Sequence, residues 1–131
     1  MLCVGLHDLP AAVEKTVSEQ SKGTTIRGFS TEVENGKQLY EVELTLNGHS
    51  KDILMNAHGE IIEVEEEVSI SSLPANIQES LSKSAGAGTI TKVETLNRNG
   101  KLVAYEAVVK TGTKRTEIQI GPDGKRLMHP E

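Results

Sequence analysis

Apolar and polar residues alternate with two different periods along the chain, and the two periods recur in the same order. Val13 and Val17 stand four positions apart on one predicted helical stripe. The segment YEVELTL at 40–46 alternates with period two instead, which predicts a half-buried strand. The same succession returns later, with Ile77 and Leu81 on a second helical stripe. The pattern therefore predicts two tandem repeats of one helix-plus-strand unit.

The two copies align over most of their length. The segment LPAAVEKTVSEQSKGTTIRGF at 9–29 matches LPANIQESLSKSAGAGTITKV at 73–93, an offset of 64. The segments 40–62 and 105–127 match at an offset of 65, so the second copy has one inserted residue. Self-similarity at a fixed period is the signature of a repeat architecture.

We therefore divide the chain into an N-terminal extension at 1–8, a first repeat at 9–68 and a second repeat at 69–131. We expect the two repeats to form one structural unit, because a single repeat is too small to bury much core. The predicted fold class is α+β, with each repeat a helical segment packed on a four-stranded antiparallel sheet.

Asn-Gly pairs at 35–36 and 47–48 predict two-residue hairpin turns, and such turns fix the register of the strands. Cross-strand partners share a face of the sheet. In the second copy the inserted residue predicts a three-residue loop at 99–101, or else a bulge. The predicted helix-covered face consists of Phe29, Tyr40, Val42, Leu44, Ile53 and Met55 in the first copy, with Tyr105, Ala107, Val109, Ile118 and Ile120 in the second.

The chain resembles the PepSY-like family, which has the β-lactamase-inhibitor-protein (BLIP) fold. The resemblance covers about 9–128 and is carried by the Leu-Pro helix starts, by Tyr40-Glu41 and Tyr105-Glu106, and by the turns at Gly59 and Gly124. It implies that the two sheets join into one curved, eight-stranded surface. It also implies a periplasmic or secreted protein, although the start MLCVGLHDLP is not itself a complete signal peptide.

A related fold belongs to a secreted inhibitor that grips β-lactamase with a concave sheet. That inhibitor is disulfide-bonded and carries many aromatic residues on its gripping face. This chain has one cysteine, two tyrosines, one phenylalanine and no tryptophan, which argues against inhibition of β-lactamase itself.

Composition excludes several classes of function. The formal net charge of −5 and the scarcity of aromatic residues argue against a nucleic-acid partner. No apolar run approaches the roughly 18 residues that a membrane-spanning helix needs. Cys3 is the only cysteine, which excludes an internal disulfide and a cysteine metal cluster. We interpret it as an unpaired, frayed thiol, with a lipid anchor as the alternative.

Charge is distributed unevenly between the repeats. Residues 1–68 contain five Lys or Arg and thirteen Asp or Glu, a net charge of −8. Residues 69–131 contain nine and six, a net charge of +3. Self-association through the oppositely charged halves is therefore one alternative for the partner.

The sheet face that the helices leave uncovered, which we call the open face, is the predicted binding site. It combines an apolar strip with a charged rim, as protein interfaces do, although an ordinary solvated sheet face is the alternative. Asp52, Glu65, Ala104, Glu117 and Arg126 are predicted to share this face. The predicted binding residues are Leu39, Glu41, Glu43, Leu54, Ile61, Glu63, Glu106, Val108, Lys110 and Arg115.

Several motifs suggest chemistry that the rest of the sequence argues against. SLSK at 80–83 and KTGT at 110–113 look like two of the three motifs of penicillin-recognising serine enzymes, but no Ser-Asp-Asn lies between them. EVEEE at 63–67 alternates between faces, which favours a solvated edge strand over a calcium site. His49 and His58 bracket one strand and lie about 30 Å apart, too far to share a metal, while His7 and His129 lie near the termini. We predict no catalytic residues, metal or cofactor.

These observations predict a non-enzymatic, exported binding module. Its open face engages a protein or peptide, in an inhibitor-like manner, and strand addition at a sheet edge is a second way to hold an extended peptide. The alternatives are a small-ligand-binding envelope accessory protein with a pocket between helix and sheet, and a self-associating structural domain.

Overall fold

A computed structural model of the chain describes residues 2–3 and 8–128. The chain divides into two compact units, Met1–Glu66 and Glu67–Glu131, which we call the first and second units. The predictions for His7 and His129 lie outside the described residues, and so does the side chain of Cys3.

The first unit places one helix against antiparallel strands that follow one another in chain order. Pro10 precedes the helix with φ −57° and ψ 149°, an extended conformation that presets the entry of the chain. The elements are β1 (Leu2–Cys3), α1 (Ala11–Gln20), β2 (Thr25–Glu34), β3 (Lys37–Leu46), β4 (His49–Asn56) and β5 (Ile61–Val68), of which the last two residues belong to the second unit.

The strand register of the first unit confirms the one that the Asn-Gly turns predict. Phe29 pairs with Val42, and Val42 pairs in turn with Ile53. Asn35 and Asn47 adopt φ of 52° and 51°, each followed by a glycine at positive φ, as a two-residue hairpin turn of this kind requires. The helix covers the predicted face, and the core cluster consists of Leu9, Val13, Val17, Val42, Leu44, Ile53 and Met55, with Phe29, Tyr40 and Val64 packed against it.

The second unit repeats this plan with fewer strands. Its helix presents Ile77 and Leu81 to a core that also holds Val93 and Tyr105. Val93 pairs with Ala107, as predicted. The elements are a 3-10 turn (Ile70–Ser72), α2 (Ala75–Ala85), β6 (Thr89–Arg98), β7 (Lys101–Thr111) and β8 (Lys114–Ile120).

The predicted fold class, two four-stranded sheets joined into an eight-stranded surface, is wrong. After β8 the chain turns at Gly121, whose N–H donates to the Lys125 carbonyl, and it returns only as a single bridge between Ile120 and Arg126. The sequence from Arg126 onwards, RLMHPE, has no β-branched residue and contains a proline, whereas the corresponding β5 is rich in Ile and Val. The described residues hold seven antiparallel strands of seven or more residues, the two-residue β1 and two helices.

The predicted three-residue loop at 99–101 is also wrong. Arg98 pairs with Lys101 around a two-residue turn, in which Asn99 and Gly100 have φ of 53° and 79°. The inserted residue is Val103, because Leu96 pairs with Ala104 while Asn97 pairs with Leu102. The alternative prediction, a bulge, is therefore correct, since Asn-Gly keeps its preferred turn and the strand takes up the extra residue.

Candidate functional site

The open face of the first unit consists of rows of side chains that cross three hairpins. One row runs from Ser30 through Glu41 and Leu54 to Glu63, each residue paired with the next. The neighbouring row runs from Gly28 through Glu43 and Asp52 to Glu65. The register thus brings five acidic residues of β3, β4 and β5 together on one face.

The leucines of this face are buried rather than exposed. Leu39 is 7% exposed and Leu54 is 8% exposed, although we expected them to form an accessible apolar strip. Ile61 is 37% exposed, but a bulge between β4 and β5 pairs it with Met55 of the helix-covered face. The carboxylates, and not the leucines, are therefore the more accessible groups of this face.

Glu41 occupies the middle of this face and has an altered pKa. Burial is the main cause, and the negative charges of Asp52, Glu43 and Glu32 add to it, so that the pKa rises from 4.5 to about 7. A hydroxyl contact from Ser30 at 3.5 Å opposes the rise. No Lys or Arg among the described residues forms an ion pair with Glu41.

Arg27 supplies a cation of this face that is not among the predicted binding residues. It is the extra residue of a bulge between Ile26 and Gly28 in β2. Its guanidinium lies 2.8 Å from Asp52 and 3.5 Å from Glu43, and it also donates to the Leu44 carbonyl. Gly28 inside a strand pattern is a bulge signal and would have pointed to this position.

The open face of the second unit balances its charges more fully. Glu106 accepts a hydrogen bond from the Gln119 side chain at 2.8 Å and faces Glu94 across the strand pair. Lys92 lies 3.8 Å from Glu94. Gln119 and Glu94 are both buried, as polar side chains with partners can be. Gln119 has Glu106 as its partner and Glu94 has Lys92, so each buried group of this centre is paired.

The remaining predicted residues of the second unit lie towards the β7–β8 hairpin. Val108 is buried between its partners Lys92 and Glu117. Lys110 and Arg115 are exposed and directly opposite each other, which places two positive charges side by side. The structure therefore separates an acidic site on the first unit from a basic site at one hairpin of the second.

The serine and lysine of SLSK have structural roles. Ser80 donates a hydrogen bond of 2.6 Å to the Gly124 carbonyl, and Lys83 pairs with Glu79 at 2.9 Å. In the first unit Thr16, the counterpart of Ser80, donates in the same way to Gly59, at 2.7 Å. The hydroxyl therefore links a helix to the turn that follows β4 in the first unit and β8 in the second.

Solved structures share this fold at low sequence identity. A DUF2874 family protein from Bacteroides ovatus matches with a TM-score of 0.69 and 15% identity, over 91% of this chain and 84% of its own. A protein from Bacteroides eggerthii that is inferred to be periplasmic matches with 0.72 and 14%, over 91% and 86%. A BLIP-like protein from Bacteroides fragilis matches with 0.63 and 17%, over 91% and 83%.

No protein-family model and no curated protein matches the chain. At these identities the solved structures establish likeness of fold alone. The BLIP-like part of the predicted resemblance is confirmed at that level, while the PepSY relationship stays a prediction. Within the part of the chain that the structure describes, no helix is long and apolar enough to cross a bilayer.

Proposed function

We propose that this protein is a non-enzymatic, exported binding module whose open face on the first unit engages basic side chains of a protein or peptide. The observation that carries the proposal is Glu41, a partly buried carboxyl group with acidic neighbours and no ion-pair partner among the described residues. A Lys or Arg side chain brought by a partner would supply the missing positive charge.

The surroundings of Glu41 favour such a partner on physical grounds. Arg27, a cation of the same face, is already paired with Asp52 and Glu43. Charge–charge attraction strengthens as water is excluded, and an approaching partner would exclude water from this face. Complementary charge of this kind gives speed and selectivity of association more than raw affinity.

Export and the lack of enzymatic activity are supported by the similar solved structures and by the role of Ser80. The protein from Bacteroides eggerthii is inferred to be periplasmic, and the one from Bacteroides fragilis is BLIP-like. Ser80, the residue most suggestive of catalysis, donates its hydroxyl hydrogen to a backbone carbonyl. These features favour a periplasmic binding role over hydrolysis.

The test is a titration of the ¹⁵N-labelled protein with hexalysine at pH 8, followed by amide chemical shifts. We expect the largest shifts on β3 and β4, around Glu41 and Asp52. The variant Glu41→Gln/Glu43→Gln should bind several-fold more weakly than the wild type. Leu39 and Leu54 are left unchanged, because their burial makes them unsafe to substitute.

The matched control is Glu14→Gln/Glu19→Gln, which removes the same charge from exposed positions of α1. It should bind hexalysine as the wild type does. Equal weakening by both double variants would mean that only net charge attracts the peptide, and the proposed site would then be wrong.

A further inference from the structure

The outer edge of β8 lacks the strand that its counterpart in the first unit possesses. In the first unit β5 pairs with β4 from Lys51 to Met55. In the second unit β8 is the last strand of its sheet, and the returning chain reaches only Gln119 and Ile120. Among the described residues, no strand pairs with the outer edge of β8 from Lys114 to Ile118.

The direction of the backbone groups on this edge follows from the hydrogen bonds just beyond it. The Gln119 carbonyl accepts from the Leu127 N–H at 2.9 Å, so Gln119 presents its backbone outwards, away from β7. In an antiparallel strand the N–H and C=O of one residue point to the same side, and alternate residues share that side. Arg115 and Glu117 therefore present two N–H and two C=O groups to the free edge.

The side chains at this edge carry excess positive charge. Lys110 and Arg115 are direct cross-strand partners, and like charges in that arrangement repel. Lys114 adds a third exposed positive charge at the same hairpin. Glu117 lies 3.4 Å from Arg115 and offsets one of them. A carboxylate on an added strand would relieve the remaining repulsion.

The first unit shows which kind of strand suits this position. Within it, Val64 of β5 pairs with Ile53, and Glu66 pairs with Lys51. The repeat offset of 65 makes Ile118 the counterpart of Ile53, and Thr116 that of Lys51. The strand that completes the first unit is thus acidic, extended and β-branched at the position that faces the core.

We propose that the outer edge of β8 binds an extended acidic segment of a partner protein as an added antiparallel strand. A β-branched residue of that segment lies opposite Ile118, and its carboxylates lie near Arg115 and Lys114. Main-chain hydrogen bonds to Arg115 and Glu117 provide affinity, while the charges select for an acidic sequence. This surface is separate from the open face of the first unit, so either proposal can fail without the other.

A second copy of the chain is the competing occupant of this edge. Charged side chains on an edge strand, such as Lys114, Arg115 and Glu117 here, are a common device against self-pairing.

The probe is a peptide with the sequence of residues 60–68, EIIEVEEEV, blocked at both ends and carrying a fluorophore. Binding to the full chain is followed by fluorescence anisotropy, and the site is mapped by amide shifts. We expect one peptide per chain, with the largest shifts on Lys114–Gln119. A peptide in which every Glu is replaced by Lys should bind at least tenfold more weakly.

Two substitutions at one position separate the backbone contribution from the charge. Glu117→Pro removes an outward N–H that β7 does not use, and should weaken binding at least tenfold. Glu117→Gln keeps that N–H and removes a negative charge, so it should bind the acidic peptide at least as tightly as the wild type. Retained binding by Glu117→Pro would overturn the proposal.

A second route avoids any change in the protein, in case the proline variant does not fold. Two peptides are N-methylated at alternate residues, so that only one of them loses the N–H groups that face β8. One peptide should keep its affinity and the other should lose it, and equal affinity would overturn strand addition. Dimers that form without peptide and are lost in Glu117→Pro would assign the edge to a second copy and overturn the acidic partner.

Discussion

Two influences disfavour the ionised form of the Glu41 carboxyl group. They are partial loss of hydration and the negative charges of Asp52, Glu43 and Glu32. Its pKa of about 7 in the folded chain lies above the ordinary value of 4.5. Between those two pH values the folded state holds a proton that the unfolded state has released. The contribution of Glu41 to the free energy of unfolding therefore decreases as the pH rises through this window, and stays low above pH 7.

We expect Glu41→Gln to raise the free energy of unfolding at pH 8 and to leave it almost unchanged at pH 5. Glutamine resembles the protonated carboxyl group, which the wild type already carries at pH 5. A gain of about 1 kcal/mol is expected, because one pKa unit corresponds to about 1.4 kcal/mol and solvent screening reduces the effect at a partly exposed site. Urea denaturation at both pH values measures it.

The control for this prediction is Glu43→Gln. Glu43 pairs with Arg27 at 3.5 Å, so its removal should give no stabilisation at pH 8. An equal gain in both variants would show that overall negative charge, rather than the position of Glu41, sets the pH dependence.

Gly59 and Gly36 are both turn glycines, and only Gly59 lies close to a helix. Both have positive φ, at 75° and 76°, so alanine is strained at either position. A Cβ at Gly36 meets nothing within 4 Å, whereas one at Gly59 meets the Ala12 carbonyl and lies 2.7 Å from the Thr16 hydroxyl. The close approach of α1 therefore adds a second cost at Gly59 alone.

We expect Gly36→Ala to lower the free energy of unfolding by about 1 kcal/mol, the usual cost of a left-handed alanine. Gly59→Ala should lower it by about 1–3 kcal/mol more, because the helix must shift or the turn must deform. Thermal or urea unfolding of the two variants measures the difference. Equal losses would mean that α1 adjusts freely and that the tight approach at Gly59 has little energetic consequence.

The candidate site was predictable at some residues only. Strand alternation placed Glu41, Glu43 and Leu54 on one face correctly, because side-chain direction in a strand follows position. Alternation does not indicate how deeply neighbours cover a side chain, so the burial of Leu39, Leu54 and Val108 was missed. The role of Arg27 depends on a bulge, which turns one residue out of the alternation.

At the scale of elements, a side-chain hydrogen bond links the helix of each unit to a turn of the sheet, and it recurs at equivalent positions. Thr16 and Ser80 lie one repeat apart, and each donates to the carbonyl of a turn glycine, Gly59 or Gly124. Apolar contacts beneath the helix do not fix its orientation on the sheet, because they are non-directional. A hydrogen bond is directional and does fix it. The recurrence of this bond explains why a hydroxyl residue occupies both positions.

We expect Ser80→Ala to lower the free energy of unfolding by about 1 kcal/mol, the typical net worth of such a bond, because the Gly124 carbonyl loses its partner. Ser82→Ala, on the exposed side of the same helix, should be neutral or stabilising by a few tenths of a kcal/mol through helix propensity. Denaturation midpoints of the two variants test this. If Ser80→Ala lowers the free energy of unfolding less than Ser82→Ala does, the hydrogen bond does not stabilise helix docking.

The elements themselves were predictable where a local signal dominates. Asn-Gly pairs determine the hairpin register through backbone conformation alone, and the observed pairs agree with the predicted ones. The fourth strand of the second repeat was predicted by analogy with β5, although the segment beginning at Arg126 lacks the β-branched residues of β5. Local composition therefore decides the fate of this segment, and repeat symmetry does not.

At the scale of the whole molecule, the division into units also divides the charge. Residues 1–66 contain five Lys or Arg and twelve Asp or Glu, a net charge of −7. Residues 67–131 contain nine and seven, a net charge of +2, and together the two values give the −5 of the chain. The proposed site of the first unit is thus acidic and that of the second is basic, so each is tested with a probe of opposite charge.

Two probes of opposite charge should therefore shift the amide signals of different residues in the ¹⁵N-labelled protein. Hexalysine is expected to shift amides of β3 and β4, and the acidic peptide EIIEVEEEV those of β8.

Raising NaCl from 50 to 500 mM should weaken hexalysine binding strongly, because exposed charges are screened. The acidic peptide should lose less affinity, because main-chain hydrogen bonds of an added strand are not screened in this way. An equal loss for both probes would indicate that the acidic peptide is held by charge alone, and shifts on the same residues would show that the two surfaces are not distinct.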